Sequence, residues 1–240
     1  MSRAEKENGV KKTLVLLPIA ALIASFALAF GSGAPSARTT ESATINPVVL
    51  VHGWNSSSSA MATLKSRFEA QGRLAFSIDL PGQNNITNAQ ALATFVNNVK
   101  ATTGAAKVDL VSHSMGGLST RYYIKSLGGG ANVSEYVSLG SPQYGLTIAC
   151  FLFTSAGGQM CPWSSFLSGL NAGDDTPGTL LYTTIYSTGD EVVPNSSSRL
   201  DGGACYKQVS GLSHSALHED ATVFTYVLSA VDGACPGTFQ

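Results

Sequence analysis

The stretch that decides the fold runs from Lys107 to Gly117 and reads KVDLVSHSMGG. It begins as an apolar run of strand length and then holds a serine at position 114, with small residues two places before and two places after it. This pattern predicts a buried strand, a sharp turn with Ser114 at its tip, and a helix directly after the turn. Small neighbours are needed because larger side chains would collide with the strained turn, although position 112 is serine where glycine is more usual. Ser114 is therefore a candidate nucleophile, and a serine that only caps the helix is the alternative.

The rest of the chain alternates short apolar runs with segments of helical spacing. Strands are predicted at 47–51, 74–78, 107–112, 133–139, 180–186 and 205–209. Helices are predicted at 60–71, at 88–102, from just after Ser114 to 127, and at 216–230. Such alternation predicts an α/β fold of about six mostly parallel strands with helices on both faces of the sheet. Residues 143–178 interrupt the alternation as a long loop, and a loop of this length in a small domain is usually functional.

The composition narrows the class of protein further. Only 12% of the 240 residues are charged and 44% are hydrophobic, which excludes a disordered chain. The formal net charge is −1 and the basic residues are scattered, so the sequence lacks the basic patch of a nucleic-acid-binding protein. The 25 glycines and 9 prolines interrupt every periodic stretch and exclude a long coiled coil. These features leave one globular domain of ordinary size.

The first 37 residues have the order of charged and apolar residues that is typical of a secretory signal peptide. Basic residues precede a mostly apolar run at 14–30, and small residues follow at 31–37. We therefore expect a signal peptide at 1–37, with its cleavage site left open, and a single secreted catalytic domain at 38–240. The alternative is a membrane anchor at 14–30, which is short for a transmembrane helix and is interrupted by Pro18.

The cysteines are candidates for disulfide bonds, and they are Cys150, Cys161, Cys205 and Cys235. None of them forms a Cys-x-x-Cys pair and no histidine lies at metal-ligand spacing from them, which argues against a zinc site. An even number of cysteines in an exported chain predicts two disulfides. Of the three possible pairings, we favour Cys150–Cys161 together with Cys205–Cys235.

A serine becomes a good nucleophile only when a neighbouring imidazole takes its proton and a carboxylate orients that imidazole. On an α/β architecture the three residues follow in the order serine, acid, histidine, which leaves His214 and His218 because the other histidines precede Ser114. His214 follows the last predicted strand in a loop, whereas His218 would lie inside the closing helix. We predict that His214 is the base and that His113 has a structural role in packing.

The candidate acid is Asp190, which follows the predicted strand 180–186 in the sequence STGDEVV. The carboxyl ends of parallel strands are where open α/β sheets hold their ligand-binding groups. Glu191 is the nearest alternative, and Asp201 is better explained by the turn that it forms with the two glycines after it. Asp190 is therefore the predicted partner of His214.

Two backbone amides are predicted to stabilise negative charge beside Ser114. The first belongs to Trp54, which follows the run VVLVHG at 48–53, and the second belongs to Met115, directly after Ser114. Such amides stabilise the oxyanion of a tetrahedral intermediate, and losing one donor typically costs about 3–4 kcal/mol. A plain strand end is the alternative interpretation of the dipeptide at 52–53.

Four motifs together resemble a known family: VVLVHGW at 48–54, KVDLVSHSMGG at 107–117 followed by TRYYIKSL, LYTTIYSTGDEVV at 181–193, and SGLSHSAL at 210–217. Over about residues 46–230 the chain is similar to the small secreted bacterial triacylglycerol lipases, the class 2 lipases of the α/β-hydrolase superfamily. The resemblance implies a minimal α/β-hydrolase fold, hydrolysis of carboxylic esters and no cofactor. It also implies the same site roles: Ser114 as nucleophile, His214 as base, Asp190 as acid, and the amides of Trp54 and Met115 as the oxyanion hole.

The chain departs from the smallest members of that family in its loop at 143–178 and in the bulk of Trp54. The loop is either a hydrophobic rim or cap that contacts a lipid–water interface, or ordinary core packing pinned by Cys150–Cys161, while Trp54 leaves the preferred acyl size open. The expected partner is a lipid or a small ester, bound by a monomer. Short-chain carboxylesterase, acyltransferase or polyesterase activity would use the same three residues, and an inactive binding domain is the alternative outside enzymes.

Overall fold

A seven-stranded sheet forms the centre of the structure, a computed structural model that describes residues 45–240. Both the predicted signal peptide and the alternative membrane anchor lie outside the described residues. The strands are β1 (Val48–Val51), β2 (Ala75–Ile78), β3 (Val108–His113), β4 (Val133–Leu139), β5 (Leu181–Ser187), β6 (Cys205–Val209) and β7 (Thr238–Phe239). Their order across the sheet is β2-β1-β3-β4-β5-β6-β7, and the first six strands in sequence run parallel. The predicted α/β fold with a mostly parallel sheet is confirmed.

All six predicted strands are present, and the described residues add a short seventh. Strand β7 pairs antiparallel with the start of β6, where Phe239 lies opposite Cys205 and Thr238 lies opposite Tyr206. A two-residue strand with exposed side chains carries no apolar pattern that sequence analysis would detect. The Cys205–Cys235 disulfide ties the chain to β6 just before β7 begins.

Helices cover both faces of the sheet, as expected. They are α1 (Ala62–Ala70), α2 (Asn85–Thr103), α3 (Gly116–Ser126), α4 (Ser165–Leu170), α5 (Asn195–Ser198) and α6 (Ala221–Val231). Alternate residues of β1 face opposite sides: Val49 and Val51 pack in one apolar cluster with α2 and α3, and Val48 and Leu50 pack in another with α1 and α6. Within residues 45–240, no helix is both long enough and apolar enough to cross a bilayer.

The closing helix is shorter than predicted. Helix α6 begins at Ala221 rather than near residue 216, because the Asp220 carboxylate caps it by accepting hydrogen bonds from the amides of Thr222 (2.7 Å) and Val223 (2.9 Å). A separate 3-10 turn covers Ser215–His218. The sequence had placed His218 inside the closing helix, but it lies in this 3-10 turn, where it is buried.

The segment from Gln143 to Gly178, which we call the insertion, was predicted as one long loop and is partly helical. It contains helix α4 and three 3-10 turns at Thr147–Phe151, Thr154–Ala156 and Gly158–Met160. Its inner side packs in an apolar cluster whose members are Met115, Leu118, Ala149, Met160, Phe166, Leu167 and Leu170. Part of the insertion is thus core packing, and the Cys150–Cys161 disulfide, with Cα atoms 4.6 Å apart, closes its middle. The structure has the favoured pairing of all four cysteines.

A buried arginine connects the insertion to helix α3. The guanidinium of Arg121 is fully buried and donates hydrogen bonds to Asp175 Oδ1 and Asn171 Oδ1, both at 2.9 Å, and to Gln143 Oε1 at 3.3 Å. The second oxygen of Asp175 accepts from the hydroxyl of Tyr144 at 2.8 Å. Both ends of the insertion are therefore held against the same helix by one charge-assisted network.

The carboxylates of Asp109 and Glu135 lie near the amino-terminal ends of β3 and β4, at the edge of the sheet opposite Ser114. Asp109 on β3 is fully buried, and its Oδ2 lies 3.5 Å from a guanidinium nitrogen of Arg73. Burial raises the pKa of Asp109 to about 6 despite that cation. Burial, and then the charge of Asp109, raise the pKa of Glu135 on β4 to about 7. Two acidic groups on adjacent strands therefore hold protons more tightly in the folded state than in the unfolded chain.

Candidate active site

Ser114 occupies the turn between β3 and α3 with a left-handed backbone, φ +54°. This conformation is uncommon for a residue with a side chain, and it is sustained by hydrogen bonds on both sides of the turn. The Ser114 amide donates to the carbonyl of Leu139 at 3.0 Å, and the Ser114 carbonyl accepts from the amide of Gly117 at 3.1 Å. The strand–turn–helix predicted from residues 107–117 is confirmed, and Ser114 is at its tip.

The residues two places before and after Ser114 are small, and both are closely packed. A Cβ at Gly116 would lie 2.4 Å from the carbonyl oxygen of His52, so only glycine fits there. Ser112 stands where glycine is more usual, and its buried hydroxyl is satisfied by that of Thr120 on α3, at 2.8 Å. This hydroxyl partner on α3 is what makes a buried serine acceptable at position 112.

The structure brings His214 and Asp190 together. His214 Nδ1 lies 2.8 Å from Asp190 Oδ2, while Asp190 Oδ1 accepts from the amides of Val192 (2.9 Å) and Val193 (2.8 Å). Burial raises the pKa of Asp190, but the hydrogen bonds from His214 and from these two amides outweigh it, so the pKa lies below its ordinary value. Because a carboxylate only accepts, His214 Nδ1 carries the proton and Nε2 is left as the basic nitrogen.

The alternatives for acid and base take other positions. Glu191 does not reach the His214 ring, and its Oε2 accepts from the His214 backbone amide at 3.0 Å. Asp201 lies in a turn in which its own amide donates to the hydroxyl of Tyr144 at 2.8 Å. His218 packs against the ring of His113 and has no carboxylate bonded to its ring within the described residues. Of the candidates, only Asp190 and His214 form an acid–imidazole pair in the described part of the chain.

Ser114 and His214 line the same cavity, which has a volume of about 560 Å³. Its walls also include Trp54, Leu146, Met160 and Val192, so the two polar groups open into mostly apolar surroundings. A second cavity of about 580 Å³ lies between the start of α2 and α4, and neither of the two residues lines it. Within residues 45–240, no three His, Cys, Asp or Glu side chains are grouped as metal ligands would be.

The backbone amides of Trp54 and Met115 have no acceptor within residues 45–240. The peptide that carries the Trp54 amide is oriented by His52, a residue whose role the sequence analysis missed. The Leu80 amide donates to His52 Nε2 at 3.0 Å, so Nδ1 carries the proton and donates to the carbonyl of Gly53 at 2.9 Å. Since the Trp54 N–H belongs to the same planar peptide as that carbonyl, it points away from the His52 ring.

His113, next to Ser114, lies behind His214. Its ring is 4.7 Å from that of His214 and 4.3 Å from that of His218, and its Nε2 donates to the carbonyl oxygen of His214 at 3.0 Å. Burial, and then the nearby rings of His218 and His214, lower the pKa of His113 to about 3. The ring is therefore neutral and serves to hold the His214 backbone in place. The sequence predicted a packing role for His113 but did not indicate this hydrogen bond.

Trp54 also connects the site to the insertion. Its indole N–H donates to the carbonyl of Ala156 at 2.8 Å, and a Cβ at Gly157 would lie 2.7 Å from the same indole nitrogen. Gly157 has φ +109°, which favours glycine. The residue that carries one of the two unpaired amides is thereby fixed to the 3-10 turn at Thr154–Ala156.

The family model described as Lipase (class 2) matches residues 45–227. A triacylglycerol lipase of Burkholderia plantarii is 30% identical over 155 residues, which are 60% of this chain and 42% of that protein. A triacylglycerol lipase of Pseudarthrobacter phenanthrenivorans is 29% identical over 123 residues, or 47% of this chain and 38% of that protein. The matched regions thus span less than half the length of either relative.

Solved structures agree on the fold. The mature form of the lipase BlEst2 of Bacillus licheniformis has a TM-score of 0.69 and 20% identity, covering 78% of this chain and 91% of that one. Lipase B of Aspergillus fumigatus has a TM-score of 0.68 and 19% identity, covering 80% of this chain and 54% of that one. The fold is that of the α/β-hydrolases, and the resemblance seen in the sequence motifs is confirmed. The family model covers more than half of the chain, which therefore belongs to the class 2 lipase family.

Proposed function

We propose that the protein is a carboxylic ester hydrolase that cleaves acylglycerols through an acyl-enzyme on Ser114, with His214 as base and Asp190 as its orienting acid. The observation that carries the proposal is the shared cavity. Ser114 has a strained backbone and His214 has a carboxylate-bonded Nδ1, and both open into the same apolar space. A few convergent polar groups in a mostly apolar cavity are typical of an active site.

The first half of the reaction would form the acyl-enzyme. Ser114 Oγ attacks the ester carbonyl carbon while its proton passes to His214 Nε2, and the resulting imidazolium is stabilised by Asp190. The bond between the carbonyl carbon and the alcohol oxygen then breaks, and the proton on Nε2 goes to the departing alcohol. In the second half, water attacks the acyl carbon, gives a proton to Nε2, and releases the acid as the proton returns to Ser114.

The unpaired amides of Trp54 and Met115 suit the oxyanion that forms in both halves. Two amides without a protein acceptor, both beside one serine, can donate together to an oxyanion that forms there. The His52 hydrogen bond to the Gly53 carbonyl keeps one of these donors in a fixed direction. Donors that need no reorientation are the ones that stabilise a transition state most.

The substrate class follows from the cavity and the relatives. The lining of Leu146, Met160 and Val192 suits an acyl chain rather than a charged substrate, and both curated relatives are triacylglycerol lipases. The same residues would serve short-chain esters, polyesters or acyl transfer to another alcohol. We further propose that the protein is secreted as a monomer after removal of residues 1–37, because two disulfides suit an oxidising compartment.

A fluorophosphonate label tests the proposal directly, because it reacts only with an activated serine. The unsubstituted protein should be labelled on Ser114, and Ser114→Ala and His214→Gln should each lose labelling and hydrolysis of p-nitrophenyl esters. Ser119→Ala is the matched serine control, since its hydroxyl is engaged by Asn85 Oδ1 at 2.7 Å. His218→Gln is the matched histidine control and should still react.

Two results would contradict the proposal. One is a protein that is folded, by its far-UV circular dichroism, yet is neither labelled nor active on any ester, as an inactive binding domain would be. The other is loss of labelling in His218→Gln with labelling retained in His214→Gln. A series of p-nitrophenyl esters of increasing chain length then separates a lipase from a short-chain esterase.

A further inference from the structure

The insertion exposes large apolar side chains that the core does not use. Phe151 and Phe153 are each 84% exposed, Trp163 is 76% exposed and Ile148 is 71% exposed. These are the four most exposed large hydrophobic side chains of residues 45–240, and all of them belong to one segment. Single exposed apolar residues are ordinary, but a group of this kind indicates a surface that binds something apolar. We call these four residues the apolar tip.

The apolar tip is presented by a braced frame. The Cys150–Cys161 bridge brings the chain beside Phe151 close to the chain beside Trp163, and the Gly158 amide donates to the carbonyl of Phe153 at 2.9 Å. On the inner side, Gln159 is buried and its Oε1 accepts from the Asn85 amide. The tip therefore projects from backbone that is held by a disulfide and by hydrogen bonds.

The charge of the segment around the apolar tip indicates which kind of apolar partner it fits. From Gln143 to Gly173 the sequence contains no Asp, Glu, Lys, Arg or His. A surface that recognises anionic headgroups carries lysines or arginines beside its apolar residues, and this segment has none. An uncharged surface is therefore the complementary partner.

The apolar tip lies close to the cavity that holds Ser114, and this position favours an uncharged lipid over a protein as its partner. Leu146 precedes the tip in the sequence and Met160 lies between Phe153 and Trp163, and both line the cavity that holds Ser114. The carbonyl of Ala156 accepts a hydrogen bond from Trp54 at the same cavity. A protein bound to the tip would stand at the cavity mouth and obstruct it. A lipid aggregate in the same place would supply substrate to it.

We infer that the apolar tip docks the protein on the surface of aggregated, uncharged acylglycerol, with the cavity facing the lipid. This inference rests on the proposed function for its substrate but not for its adsorption. Phe151, Phe153 and Trp163 enter the lipid surface, while the disulfide-closed frame stays in water.

Adsorption is measured with Ser114→Ala protein, so that nothing is hydrolysed, by flotation with triolein droplets. Adding Phe151→Ser and Phe153→Ser should reduce the droplet-bound fraction at least tenfold. The matched control adds Leu74→Ser and Phe239→Ser, which remove side chains that are 58% and 62% exposed at the amino-terminal edge of the sheet, away from Ser114. This control should adsorb as strongly as the Ser114→Ala parent. Equal loss in both double variants, or loss in neither, overturns the inference.

A second readout follows the tip itself. The chain has two tryptophans, so Trp54→Phe in the Ser114→Ala protein leaves Trp163 as the only indole fluorophore. Its emission should shift to shorter wavelength with triolein droplets. No shift, or a shift only with vesicles of phosphatidylglycerol that salt removes, overturns the inference.

Hydrolysis separates this inference from the proposed function. In the active protein, Phe151→Ser with Phe153→Ser should lower turnover of emulsified tributyrin at least tenfold relative to turnover of dissolved ester. A parent protein that adsorbs to droplets but hydrolyses no ester refutes the proposed function and leaves the docking surface standing. A parent that hydrolyses dissolved ester but does not adsorb refutes the docking surface alone.

Discussion

Replacing Gly140 by alanine should break the hydrogen bond between Asp190 and His214 without altering either side chain. Gly140 follows β4 with φ +56°, and a Cβ there would lie 2.9 Å from Asp190 Oδ2 and 3.2 Å from His214 Nδ1. The added Cβ would also lie 2.8 Å from a methyl carbon of Leu217, so it cannot relieve these contacts by moving toward Leu217. The carboxylate and the imidazole must separate, and a displacement of about 1 Å at a catalytic group costs about 100-fold in rate. We therefore expect kcat/KM for a dissolved ester to fall by about 100-fold.

The effect on stability has two sources that can be estimated separately. An alanine in the left-handed region costs about 1 kcal/mol, and overpacking against the neighbours costs about 1–3 kcal/mol. The free energy of unfolding should therefore fall by about 2–4 kcal/mol. For a domain of this size that lowers the Tm by about 5–15 °C.

Gly104→Ala isolates the backbone contribution. Gly104 ends helix α2 with φ +71°, and a Cβ there would meet no atom within 4 Å. It should lose about 1 kcal/mol of stability and keep its activity. The assay is kcat/KM with p-nitrophenyl butyrate, together with thermal unfolding followed by circular dichroism. Equal activity in the two variants would refute the reasoning, because the contact with the Asp190–His214 pair would then have no effect on catalysis.

Three further predictions test other parts of the structure. His113→Phe keeps a ring beside His214 but removes the donor to its carbonyl, so kcat should fall about tenfold with KM unchanged in steady-state kinetics. The pKa of Glu135 in the folded state is about 7. Between about pH 4.5 and 7 the folded state therefore binds more protons than the unfolded chain, so this group makes the free energy of unfolding fall as pH rises through that window. Glu135→Gln should make urea unfolding less pH-dependent and raise stability at pH 8 by about 1 kcal/mol after allowance for solvent screening, and an unchanged slope would count against the assignment. Arg121→Met leaves the Asp175 carboxylate without its buried partner and should cost about 3–5 kcal/mol in urea unfolding, with Arg121→Lys falling between it and the parent.

The central part of the fold could be predicted because its determinants are local. Residues 107–117 contain the strand, the turn and the start of the helix in sequence order, so Ser114 could be placed from its neighbours alone. Asp190 and His214 could be chosen because each follows a strand, and the carboxyl ends of parallel strands share one edge of the sheet. The hydrogen bond between them is consistent with that choice.

What the sequence did not reveal depends on contacts between distant segments. Helix α4 has only six residues, begins with a hydrogen bond from the Leu167 amide to Ser164 Oγ, and is sustained by packing against α3 rather than by its own periodicity. The start of α6 was placed too early because Asp220 was not recognised as a cap. The role of His52 depends on the amide of Leu80, which no pattern around residue 52 indicates.

These distant segments approach one another closely, and the close approach explains why certain positions are glycine, a constraint that the sequence alone did not show. A Cβ at Gly53 would lie 2.7 Å from Ser114 Cβ, and one at Gly189 would lie 2.8 Å from the carbonyl carbon of Gly211. Together with Gly140, these residues follow strands β1, β4 and β5, which end at the edge of the sheet where Ser114 lies. A glycine with φ in an ordinary region, such as Gly53, has no conformational reason to be glycine, so the lack of space must be the reason. Glycines one or two residues after parallel strands therefore indicate that the loops converge on one point, and that point is where a nucleophile, its base and its acid can meet.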